Sequence, residues 1–142
     1  MILEDKSFPI VRLHYDADPQ DGQETLFETF ERLLALETPF VLIGFGGSNR
    51  ESSHEERKSV NLWMKRNRAA LRSFVTGMVY VEPKPANRFI LRSNADTYKI
   101  FWGYPMLVSA TEPEALLIAE RLLAGTPADD IVTDERPLPG VA

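Results

Sequence analysis

Apolar and polar positions along this chain switch repeatedly between the period of a strand and that of a helix. Residues 8–15 (FPIVRLHY) alternate loosely and run into the turn-rich DADPQDG, as a strand leading to a helix entry does. Over residues 22–36, Leu26, Phe27, Phe30, Leu33 and Leu34 fall at helical spacing while Glu24, Glu28 and Glu31 take the other side, which predicts an amphipathic helix with an acidic outer face. Thr38-Pro39 stops it, because proline disfavours helical geometry in the residue before it. The following FVLIGF, residues 40–45, reads as an apolar strand buried on both faces, and Gly44, Gly46 and Gly47 mark its exit.

Residues 53–74 carry the clearest helical pattern. Ser53 and Glu56 make an S-x-x-E start signal, and Val60, Trp63, Met64, Leu71 and Phe74 form the apolar stripe. Arg57, Asn61, Lys65, Arg68 and Arg72 follow at steps of three or four, which puts them on one opposite, basic face. Asn67 interrupts the apolar stripe, so its amide either bonds a neighbouring backbone group or faces a pocket. Gly77 is expected to end this helix, residues 78–81 (MVYV) to form a third strand, and residues 86–101 a helix weakened by Ser93, Asn94, Asp96 and Thr97. Residues 106–109 (MLVS) read as a fourth strand, and Thr111 caps a last helix that Gly125 stops. Residues 126–142 show no periodicity and read as an acidic, proline-containing tail, mobile or pinned by contact.

Strand followed by helix, four times over, predicts an α/β fold: a four-stranded, mainly parallel sheet with right-handed crossovers and helices on both faces. The length fits one domain, residues 1–125, with the tail outside it. Order and spacing over residues 8–124, above all the ending FWGYPMLVSATEPEALLIAERLL, resemble the STAS-like domains of anti-sigma factor antagonists. That resemblance implies a cytoplasmic, regulatory module that binds a protein partner without catalysis. In those antagonists a serine in a D-x-S-G turn is phosphorylated to release the partner. The corresponding turn here runs Gly44 to Arg50 as GFGGSNR, so Ser48 matches by position and the aspartate is missing.

Charge sharpens the picture of partners. Residues 57–99 hold ten basic side chains against Glu82 and Asp96, a balance of +8, whereas the whole chain is −5, so the flanks carry −13. Such a field sets partner preference rather than fold. The absence of cysteine excludes disulfides, thiolate catalysis and cysteine-ligated metals. The opening residues lack the pattern of a leader and no window spans a bilayer, so a cytoplasmic location is expected.

The loop after the second strand is the expected ligand site, because crevices in open α/β sheets form beyond the carboxyl ends of strands and helix N-termini attract anions. Gly46, Gly47, Ser48, Asn49, Arg50 and Ser53 would contribute there, continued by Arg57, Lys65, Arg68 and Arg72 of the basic face. The loop matches no nucleotide-binding motif. The basic face could meet a protein partner, or pair reciprocally with Glu24, Glu28 and Glu31 of a second copy to give a homodimer. Nucleic acid is argued against by the acidic whole and the lack of a stacking platform. The competing reading is a small enzyme or ligand-binding protein working at the strand ends beside His14, Asp16 and Ser48. His14 and His54 stand in no metal spacing, and no catalytic residue, cofactor or metal is assigned. Phe101, Trp102 and Tyr104 either close over the core or offer an apolar surface to a ligand or partner.

Overall fold

A computed structural model describes residues 1–47 and 53–131. The strands are β1 (Ile2–Glu4), β2 (Ile10–His14), β3 (Phe40–Phe45), β4 (Val75–Val81) and β5 (Met106–Ser109). The helices are α1 (Leu26–Leu34), α2 (His54–Phe74), α3 (Pro85–Ser93), α4 (Ala95–Trp102) and α5 (Glu112–Leu123). The strands lie side by side in chain order, β2 to β5 parallel and β1 antiparallel on the edge, with Leu3 opposite Leu13.

The α/β class holds, and the expectation of four strands is corrected to a five-stranded mixed sheet. The extra strand, β1, has three residues, too few to show a period. It is specified by its pairing with β2 and by Arg32, whose guanidinium reaches Asp5 just after β1 and Glu24 just before α1.

Chain-order strands joined by right-handed crossovers send their helices to the same side of the sheet. Phe30 and Leu33 of α1, Trp63 and Leu71 of α2 and the inward side of α4 accordingly share one core with Val11, Leu13, Phe40, Leu42 and Met78. α5 follows the last strand and returns over the opposite face, where Ala115, Ile118, Ala119 and Leu122 pack on Val41, Ile43, Val79 and Leu107. The alternating residues of β3 thus enter two cores, which is why the strand is apolar throughout.

Two junctions differ from the sequence reading. α2 passes into β4 at Phe74/Val75 without a loop, and Gly77 lies inside the strand, where the side chain of Leu122 comes close to it. The helix expected over residues 86–101 is two helices that meet at Asn94. The chain also stays packed beyond residue 125: a 3-10 turn at Ala128–Asp130 delivers Ile131, 2% exposed, into the α5 core.

Candidate functional site

The glycines that leave β3 have a steric role. Gly46 and Gly47 both have positive φ, +75° and +79°, which only glycine adopts freely. A Cβ on Gly47 would stand 2.6 Å from Cβ of Tyr15, and one on Gly46 would collide with the Asp16 carboxylate. Within the strand, a Cβ on Gly44 would crowd Met78, Tyr15 and Tyr80 at 3.1–3.2 Å. These glycines therefore let the β3 exit lie against the end of β2 and seat Tyr15. Ser48, Asn49 and Arg50, expected at this loop, lie outside the described residues. Ser53 caps α2 by accepting the Glu56 N–H at 3.1 Å.

Of the residues of the enzyme reading, His14 and Asp16 lie among the described residues and Ser48 outside them. His14 stacks on Phe45 at 5.5 Å and its Nε2 contacts Glu4 Oε2 at 3.0 Å. Asp18 faces the N-terminal ammonium at 3.5 Å. At the end of β4, burial, helped by the charges of Glu82 and Asp16, pushes the Tyr80 phenol up to about 12. Glu82 is buried and accepts from Asn87 Nδ2 at 2.8 Å, while the Arg88 guanidinium donates to the carbonyls of Glu82 and Pro83, which fixes the turn into α3.

The basic face of α2 divides in two. Arg57 and Lys65 are exposed. Arg68 instead donates to the carbonyls of Ile100 (3.1 Å) and Phe101 (3.3 Å) in the last turn of α4, where a cation is favoured by the helix dipole. Its Nε is buried without an acceptor among the described residues. The Arg72 side chain runs along Gly103 and lines a groove with Asp96, Lys99 and Ile100. The acidic face of α1 is engaged too. Glu24 binds Arg32, Glu28 completes a capping box with Thr25, and Glu31 accepts the Trp63 indole N–H at 3.0 Å. Asn67 takes the first of its two expected roles, donating to the Trp63 carbonyl at 2.9 Å.

What these contacts close off is an aromatic chamber between α1, α2, α4 and the sheet. Trp63 is stacked on Phe27 at 4.9 Å and tilted against Phe30 at 5.0 Å. Trp102 lies 6.2 Å from Tyr98 and 6.1 Å from Tyr104. Together with Tyr15 these rings line a cavity of about 60 Å³. Met1 and Val60 line both this cavity and an outer groove of about 370 Å³, which continues past Asn61 and Phe101. Both tryptophans of the chain stand in the chamber wall.

Three phenols meet in this wall. Tyr98 donates its hydroxyl to Tyr104 at 3.2 Å, which leaves the Tyr104 proton for another acceptor. The Tyr15 hydroxyl has no hydrogen-bond partner among the described residues, although its ring packs at 5.6 Å from Tyr80. Burial holds Tyr15, Tyr98 and Tyr104 above the ordinary tyrosine value; neighbouring phenols add to it at Tyr15 and Tyr98, whereas the hydrogen bond from Tyr98 works against it at Tyr104. They are neutral donors at physiological pH, suited to holding an oxygen acceptor and unsuited to acting as bases.

With Tyr80, all four tyrosines of the chain are shifted upward. The folded state therefore holds these protons more tightly than the unfolded chain, so their contribution to stability is complete below pH 10 and is lost as pH rises from there through the raised values. An alkaline titration followed by phenolate absorbance is expected to show no tyrosinate near pH 10 in the native protein and full ionisation there in urea. A native tyrosine that titrates near its ordinary value would place its ring in water.

Of the residues expected at a site, the structure brings Gly46 and Gly47 against the end of β2, next to the chamber, and uses Arg68 and Arg72 to hold α4. The chamber itself draws on Tyr15, Phe27, Trp63, Tyr98 and Tyr104, of which only Tyr104, with neighbouring Trp102, stood out as an aromatic cluster in sequence. The remaining signal was the concentration of rings on the inward stripes of two helices. No protein-family model, no curated protein and no solved structure matches the chain.

Proposed function

We propose that the chain is a non-catalytic, STAS-like binding domain of regulatory type whose site is the aromatic chamber between α1, α2 and α4. The observation that carries this reading is the chamber's make-up: a partly enclosed apolar cavity that shares Met1 and Val60 with an open groove and has a few polar groups in its wall, as small-molecule sites are built. The STAS-like build belongs to the same proposal. It is supported by the order of elements and by the closing unit of β5, the Thr111 cap and α5. Occupancy of the chamber would be sensed by α4, which contributes Tyr98 and Trp102 to its wall and is held at its other side by Arg68.

Toluene is a suitable probe. With its methyl group in the inner cavity and its ring in the outer groove, it is expected to shift the indole N–H signals of Trp63 and Trp102 saturably, and Val60→Arg, which plugs the mouth, is expected to abolish the shifts while the protein stays folded. Shifts that survive this substitution, or no shifts in the wild type, would refute the reading.

Contact with a protein partner or a second copy of the chain is favoured by a separate observation. Phe89 of α3 and Ile100 of α4 are 73% and 74% exposed, and Ile100 lines a groove with Arg72 and Lys99. If this surface joins two copies, Phe89→Asp lowers the mass found by light scattering. A mass that is monomeric in both forms rejects self-association.

A further inference from the structure

We infer that the chamber selects an elongated, mainly apolar molecule that ends in an uncharged oxygen acceptor, such as a ketone, with that oxygen bound between the hydroxyls of Tyr15 and Tyr104. This inference rests on the chamber being a binding site and adds the class of ligand.

Size sets the orientation. A dry cavity of roughly 150 Å³ takes a benzene ring. At about 60 Å³ the inner cavity is too small for one, yet large enough for a carbonyl group and its substituent. The body of the molecule must then lie in the outer groove, whose volume of about 370 Å³ and contacts with Met1, Val60 and Phe101 suit an alkyl or aryl chain.

Hydrogen bonding sets the inner end. Leu13, Leu26, Phe27 and Phe30 make the surrounding wall apolar, so the phenols are the groups there that can hydrogen-bond the inner end of a ligand. The Tyr98 proton is already given to Tyr104. Two donors remain, the Tyr104 proton and the Tyr15 hydroxyl, and a carbonyl oxygen has two lone pairs to receive them. Close placement of Tyr15 is secured by Gly44 and Gly47, either of which would press on the tyrosine if it carried a side chain.

Charge sets the preference for a neutral group. Among the described residues no charged side chain lines the inner cavity, and Glu56 and Arg57 line the outer groove instead. A carboxylate moved inward would lose its hydration without gaining a cation. A hydrocarbon end would instead leave both phenolic donors unspent, the situation that gives sites built around hydrogen bonds their large discrimination.

The test compares three probes of similar size: acetophenone, ethylbenzene and benzoate. Dissociation constants come from the Trp63 and Trp102 indole signals of the full chain and of Tyr15→Phe, a change that keeps the ring. Acetophenone is expected to bind the wild type about tenfold or more tightly than either ethylbenzene or benzoate. Tyr15→Phe is expected to remove most of that preference and to leave ethylbenzene binding within about twofold. Equal binding of ketone and hydrocarbon, or a preference for benzoate, overturns the ligand class while the chamber stands as an apolar site. Failure of all three probes to move either indole overturns the chamber reading itself. Should Tyr15→Phe not fold, the wild-type ranking of the three probes still decides, and Tyr104→Phe supplies the second variant.

Discussion

Trp63→Ala is expected to lower folding stability by about 3–5 kcal/mol, read from the urea midpoint, because a large buried ring is replaced by a void. The indole is 2% exposed and joins the two helices that roof the chamber. It stacks on Phe27 of α1, lies tilted against Phe30 and meets Glu31 through its N–H. Trp63→Phe keeps a ring in place and gives up the bond to Glu31, so its cost should be the smaller of the two by about half or more. A loss below about 1 kcal/mol for the alanine variant would mean that α1 and α2 do not close on each other as described.

Ile131→Ala should cost about 2–5 kcal/mol, although the residue lies in a segment whose sequence reads as a tail. The side chain is 2% exposed in the cluster that also contains Val41, Ile43, Val79 and Leu107. Leu117 on the outer side of α5 is 62% exposed and provides the control, since Leu117→Ala should stay within about 0.5 kcal/mol. Equal, small effects at both positions would return the edge of the domain to residue 125.

These two sites mark where local pattern succeeds and where it stops. Trp63 sits on an apolar stripe that helical spacing alone identifies, and the buried strand Phe40–Phe45 is recognisable because both of its faces are apolar. Ile131 has no periodic neighbours, so only its contact across the sheet identifies it as core. β1 fails to register for the same reason, being three residues long. The break at Asn94 leaves helical spacing nearly continuous on both sides and is hidden from it.

Spacing also places Arg57, Lys65, Arg68 and Arg72 correctly on one side of α2, yet gives no account of what covers that side. The docking of α4 diverts Arg68 to two carbonyls and lays Arg72 along Gly103. The chamber is the least legible part. Tyr15, Phe27, Trp63 and the pair Tyr98 and Tyr104 come from four separate stretches of chain and share no local motif. The glycine run GFGG was the nearest signal. It reads as an anion-binding turn, and its structural consequence is the room it leaves for Tyr15 and Asp16.

The most direct measurement is a crystal structure of the protein grown with acetophenone. The ketone should lie under α1, α2 and α4 with its oxygen about 2.5–3.0 Å from the hydroxyls of Tyr15 and Tyr104 and its ring directed toward Val60. A chamber that holds only ordered water at saturating ketone, or a ketone bound elsewhere on the surface, would contradict the account.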